Sequence, residues 1–183
     1  MICTLTMIRD KTLRELLDFL ESNLENKVKL IVLGGNALVL LGFKQFTQDI
    51  DLCLVAKNKN LELLVRKFQE STNITVDIFY EGLLKTINVE DYLQRIIKVK
   101  EKYTKVDLYI LDILDILLTK MDRMQARDWN DCWDTLKQAN IKKDDLNKRK
   151  EYYIQHYIGS EEDKQRFNDN YQTFIKATSH FLK

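Results

Sequence analysis

The sequence predicts an α+β fold: a mixed β-sheet core with helices packed on it, followed by a C-terminal helical region. Three observations carry this. Short aliphatic, β-branched runs alternate with helix-length segments in a strand-helix-strand-helix-strand series through the first half. Near Asp112 the hydrophobic pattern changes from the two-residue repeat of a strand to the helical repeat of about 3.6. Glycine is scarce, five in 183 residues with no proline, so the adjacent pair Gly34 and Gly35 stands out. The expected division is a sheet core over 1–112 and a docked helical region over 113–183. No linker separates them, so one compact unit or two closely docked lobes are expected.

Composition narrows the class. With 45% hydrophobic and 31% charged residues, the chain is ordinary for a soluble globular protein and long enough for one buried core. A formal net charge of +1 argues against a broad electrostatic grip on nucleic acid, so any such contact must come from a local patch. No apolar run approaches the roughly 20 residues of a membrane span. The first dozen residues lack a basic segment followed by a long apolar one, so no secretory leader is expected and the cytoplasm is the default location. Cys3, Cys53 and Cys132 lie far apart, as do His156 and His180, which gives no zinc-ligand spacing; reduced, structural thiols are expected.

In chain order, Asp10 or Thr12 is placed to cap a first helix carrying Leu13, Leu16, Leu17, Leu20 and Leu24 on one face. Val28 to Leu33 reads as a buried strand, and Asn36 to Gly42 as a short helix after the glycine pair. Asp49 to Ala56 reads as a second strand, after which Asn60 caps a helix with Leu61, Leu64, Val65 and Phe68 inward. Ile74 to Tyr80 is the third strand, and Glu81-Gly82 the next turn. Asp91 to Lys98 fits a short helix or the start of a strand. Lys98 to Lys102 and Lys105 to Leu111 fit an antiparallel hairpin. From Asp112 an apolar stripe runs from Ile113 to Met124 with Lys120 at its margin; a helix continued to Arg127 would align Lys120, Arg123 and Arg127 in a basic row. Asp128 to Leu136 gives a further helix, and two amphipathic helices follow over 142–157 and 160–182.

The chemistry concentrates between Ile31 and Leu54. On a strand, Asp49 and Asp51 share one face while Ile50, Leu52 and Leu54 share the other. Two carboxylates side by side repel unless a cation lies between them, and hard divalent ions take such oxygen ligands. Gly34 and Gly35 lack Cβ atoms, so a phosphate can approach a backbone whose N–H groups open a helix. Asp77, alternating with Val76 and Ile78 on the third strand, has the parity to join the acid pair; Asp107 competes for that role. A turn pair and two surface acids are each more often structural than functional when met alone.

Together, the stretch GGNALVLLGFKQFTQDIDL resembles the nucleotidyltransferase superfamily, which joins a hydrophobic strand, a glycine pair, a short helix and an Asp-x-Asp. The likeness is greatest to a minimal prokaryotic branch related to abortive-infection, toxin–antitoxin nucleotidyltransferases. It is specific over Leu30 to Leu54, weaker to Arg127–Asp131, and ends by Asn140. This resemblance implies Asp49, Asp51 and Asp77 as catalytic residues holding Mg2+ or Mn2+, and Gly34, Gly35, Asn36 and Lys120 as nucleotide-binding residues. It also implies an NTP substrate, an acceptor hydroxyl on RNA or protein, and a cognate partner protein. Lys120 reads equally well as a snorkelling lysine by periodicity, and the likeness of TKMDRMQARDWNDCWDTL to the corresponding segment favours function. Asparagine at position 36 departs from the serine that usually follows the glycines, and Lys44 alone represents the basic residue often found before the acid pair. Trp129 and Trp133 read as core. The basic and tyrosine-rich run from Lys142 to Tyr157 reads as a solvated helix in preference to an RNA-binding patch.

Overall fold

The computed structural model describes residues 11–54, 57–80 and 92–182. Two expected features, the Asp10 cap and the Glu81-Gly82 turn, lie outside these residues, as do Cys3 and the end of the second strand at Ala56.

Helix α1 (Lys11–Asn23) buries the four leucines Leu13, Leu16, Leu17 and Leu20, as their spacing demands. Strand β1 (Val28–Val32) follows, then α2 (Gly34–Leu40), β2 (Asp49–Leu54), α3 (Lys59–Thr72) and β3 (Thr75–Tyr80). Two further strands, β4 (Ile97–Lys98) and β5 (Val106–Ile110), complete a five-stranded mixed sheet in the order β3-β2-β1-β5-β4. Strand β1 runs antiparallel to β2 and parallel to β5, and β2 runs parallel to β3. The parallel β2–β3 pair needs a crossover, which α3 supplies.

Several boundaries differ from the sequence expectation. Helix α2 begins at Gly34, not Asn36, because Gly34 takes φ +53 and turns the chain straight into the helix. Asn58, not Asn60, caps α3: its side chain accepts from Leu61 N, while Asn73 ends the helix at φ +59. An antiparallel pair forms at the expected hairpin, but its first strand ends at Lys98, where the expected strand begins, and pairs Ile97 with Ile110 and Lys98 with Tyr109.

Four helices follow: α4 (Ile113–Arg123), α5 (Ala126–Gln138), α6 (Lys143–Gln155) and α7 (Glu161–Thr178). Asp112 caps α4 by accepting from Leu114 N, and Met124 at φ +45 ends it. The basic row therefore breaks, and Arg127 belongs to α5. Trp129, half-buried against the core, packs edge-on against Phe174 of α7, whereas Trp133, also half-buried, packs edge-on against Phe181 beyond that helix and lies at the margin of the core. The run from Lys142 to Tyr157 is neither fully solvated nor a surface patch. Arg149 pairs with Asp112 and Asp115, Lys150 is buried, and Tyr153 is fully enclosed. Sheet and helices share one continuous apolar core. Cys53 and Cys132 are free and buried within it, and burial pushes both thiols up. Among the described residues no helix is long and apolar enough to cross a membrane.

Candidate active site

The alternation along β2 sorts its side chains as the period of two requires: Ile50 and Leu52 are buried, while Asp49 and Asp51 stay partly accessible. In the parallel register Asp51 lies directly beside Asp77, which puts the third acid on the same face one strand over. Asp107 stands opposite Lys29 near the start of β5 and is held by Lys27 at 2.9 Å and Lys98 at 3.0 Å. Register excludes it from the acid group, whose neighbours are the ends of β1 and β5 where the chain enters α2 and α4. Two strands thus set three carboxylates on one face, near enough for Asp49 and Asp77 to repel charge on Asp51. Burial, then repulsion from Asp49 and Asp77, pushes the Asp51 carboxyl above its ordinary value, and Arg123 and Lys120 partly offset the rise.

The glycines act chiefly on side chains. A Cβ on Gly34 would lie 2.1 Å from Asp51 Oδ2, and one on Gly35 would lie 2.7 Å from Thr47 Oγ1. The bare backbone therefore makes room for the acid and for the threonine that orients its neighbour. Thr47 donates to Asp49 Oδ1 at 3.0 Å. Gly34→Ala meets both this overlap and the positive φ, so it is expected to cost about 1–3 kcal/mol of stability. It should also displace Asp51, which a thermal melt read alongside a divalent-ion titration would reveal.

Asn36 is fully buried, and its side-chain oxygen accepts from Asp51 N at 3.1 Å. It ties α2 to β2 and so fixes the height of the acid strand. The cap of α2 is Leu33, with no side-chain hydrogen bond, and not Asn36.

Lys120 is only 5% exposed, too buried to be snorkelling. Its Nζ reaches Asp131 at 2.7 Å and Asp128 at 3.3 Å. Lys44, from the α2–β2 loop, meets the same Asp131 at 2.9 Å. Arg123 grips Asp128 with two donors at 2.6 and 2.7 Å. Burial opposes charge on both of these acids, yet the cations around them hold both carboxyls below their ordinary range. A cluster of Lys44, Lys120 and Arg123 is thereby ordered by α5 and set against the acids of β2. Arg127 joins from the rim, 4.0 Å from Asp49 Oδ2. Of these groups, Thr47 is not singled out by the sequence although it acts on a residue two positions away, and the pairing of Lys44 with Asp131 spans 87 positions that no local pattern joins.

A cavity of about 490 Å³ opens beside Asp51. Phe79, Tyr92 and Ile116 give it apolar walls, and Lys120, Arg123 and Thr119 line its polar side. Its size falls within the range of small-molecule sites. Among the described residues no three acidic, cysteine or histidine groups already converge as a metal cage.

A mixed sheet that brings a glycine turn, an Asp-x-Asp and an in-register third acid to one end, with helices behind it, is a nucleotidyltransferase-like fold. Residues 11–179 match the family described as "Nucleotidyltransferase of unknown function (DUF6036)". The chain belongs to that family. Comparisons with curated proteins and with solved structures return no match.

Proposed function

We propose that the protein is a metal-dependent nucleotidyltransferase that moves a nucleoside monophosphate from an NTP to an acceptor hydroxyl. The observation that carries this reading is the parallel register that sets Asp77 beside Asp51, with Asp49 on the same strand face. The donor set fits a hard divalent ion: carboxylate oxygens, mutually repelling, with Asp51 pushed up first by burial and then by its acidic neighbours. Asp49, Asp51 and Asp77 would hold Mg2+ or Mn2+. When bound, the ion supplies charge neutralisation at the phosphates and activation of the attacking oxygen.

The chain's own groups do the rest. Lys120, Lys44 and Arg123 lie where the negative charge of a triphosphate would be met, and Gly34 and Gly35 give Asp51 and Thr47 the room they occupy beside it. The cavity walled by Phe79 and Tyr92 takes the nucleoside. The acceptor oxygen attacks the α-phosphorus and its proton passes to Asp77. The bond to the β-phosphate breaks, and pyrophosphate leaves towards the lysines. Asn36 and Thr47 keep the two β2 acids in place throughout. Incubation with α-labelled NTPs, Mg2+ or Mn2+ and total RNA is expected to transfer label, and Asp49→Ala/Asp51→Ala to abolish it. Transfer persisting in the double variant would end this reading.

A second reading has its own support in the buried Asn36, which stands where many relatives of the superfamily offer a serine. It makes the chain an NTP-binding module of weak activity that works with a cognate partner protein, as a toxin–antitoxin component of the abortive-infection type does. Calorimetry showing NTP binding without metal dependence, and no turnover, would favour it.

A further inference from the structure

The cavity that opens beside Asp51 carries polar groups at two ends. Thr119, Lys120, Asp122 and Arg123 line it from α4, and Arg166 lines it from α7. An α-helix turns about 100° per residue, so Lys120 and Asp122 stand about 160° apart around α4, with Arg123 and Thr119 between them. The bonds each makes agree with that division. Lys120 reaches towards α5, onto Asp131 and Asp128. Asp122 faces the other flank, where its Oδ1 accepts from the Tyr157 hydroxyl at 2.9 Å, just past the end of α6. Arg166 Nη2 meets Asp163 Oδ1 at 2.5 Å on its own helix. That bond, and to a lesser degree the charge of Asp122, raise the Arg166 guanidinium above its ordinary value. One end of the cavity thus gathers the β2 acids with Lys120 and Arg123, and the other pairs a carboxylate with a guanidinium. Phe79, Tyr92 and Ile116 supply apolar walls.

With the triphosphate at the first end, the second end meets the base. A carboxylate only accepts and a guanidinium only donates, so a base edge that satisfies both must set donors beside an acceptor. Among the four common bases guanine alone has two neighbouring donors, N1–H and N2–H, spaced for the two oxygens of one carboxylate. Its O6 and N7 are the acceptors a guanidinium takes best. We infer that Asp122 and Arg166 read the base of the NTP and that this base is guanine, Asp122 accepting from N1–H and N2–H and Arg166 donating to O6. The inference rests on the nucleotidyltransferase reading and names GTP as the donor substrate within it. A carboxylate accepts at about four positions and the tyrosine takes one of them, so that bond orients Asp122 for the base.

Calorimetry of the full-length protein with Mg2+ and each of GTP, ATP, CTP, UTP, ITP and XTP tests this. A bidentate base contact discriminates by about 5- to 150-fold, so GTP should bind tighter than the other three common NTPs by that factor. ITP lacks the N2 amine and should fall between GTP and the rest. Asp122→Asn should weaken GTP and gain XTP, because a carboxamide donates to the C2 oxygen that xanthine carries in place of the amine. A variant that merely folded badly could not gain a ligand. Arg166→Ala should weaken GTP and ITP by the same factor, since both carry O6. Equal affinity of wild type for the four common NTPs, a preference for another base, or an unchanged GTP preference in Asp122→Asn each overturns the inference while leaving the enzyme reading in place. Wild type that binds no NTP at all overturns the enzyme reading itself, and this inference with it.

Discussion

Asp51→Asn is expected to abolish nucleotidyl transfer and at the same time to raise the melting temperature of the free protein. The first effect follows from losing one of the carboxylates that would hold the divalent ion. Metal stabilisation of transition-state charge is worth several kcal/mol, and each 1.36 kcal/mol is tenfold in rate, so a loss of at least about 100-fold is expected. The second effect follows from the electrostatics. Burial and the charges of Asp49 and Asp77 raise the carboxyl above its ordinary value of 3.8 in the folded chain. The folded state then retains a proton that the unfolded state has released, so stability falls as pH rises from that value through the raised one. Above that window the full cost remains; below it, none. Asparagine has the same shape and no charge, so the variant should melt higher at neutral pH and level with wild type in acid. Added Mg2+ should raise the melting temperature of wild type but not of the variant. An acid present only for stability would give the opposite sign in the metal-free comparison.

Asp115→Ala is expected to be the most destabilising single change in the helical half. Asp115 is fully buried and receives Arg95 Nε at 3.0 Å and Arg149 Nη1 at 2.7 Å. One carboxylate thus joins the approach to β4, the first turn of α4, and α6. Removing it takes a shared carboxylate from two guanidinium groups and leaves Arg149 with Asp112, and breaking such a buried pair costs about 3–5 kcal/mol. Total stability is about 5–15 kcal/mol, so the urea midpoint should fall by about a fifth or more. Replacing Arg95→Met and Asp115→Leu together, with Arg149 kept on Asp112, should recover part of the loss, because the buried carboxylate and one of its guanidinium partners leave together. Failure of that recovery would show that the cluster contributes through its hydrogen bonds and packing as well as charge balance.

Much of the frame was legible from local pattern. The period of two placed Ile50 and Leu52 inside and gave Asp49 and Asp51 a common face, and the same parity chose Asp77. The stripe from Ile113 onward marked α4, and of the tryptophan pair in α5 Trp129 packs against the core as expected while Trp133 stays at its margin. What local pattern does not encode is pairing across long separations. Only the strand register removes Asp107 from the acid group, and only the docking of α5 brings Asp131 to Lys44 and Lys120. Single-residue backbone choices were equally hidden. A positive φ at Met124 broke the expected basic row, yet Arg123 and Arg127 still approach the acids from separate helices. In α6 the spacing of Arg149 and Tyr153 was compatible with an exposed face, and it was the buried Asp115 that drew Arg149 inward.

The parallel pairing of β2 with β3 has a consequence for the family's history. The third acid reaches its place through the α3 crossover, and a strand shifted by one residue turns every side chain to its other side. A single-residue deletion at Asn73 or Ile74 would leave an intact-looking protein with Asp77 aimed at the hydrophobic layer. Alignments of active members should therefore carry no gaps between α3 and Asp77, whereas lineages that have abandoned transfer are free to accumulate them.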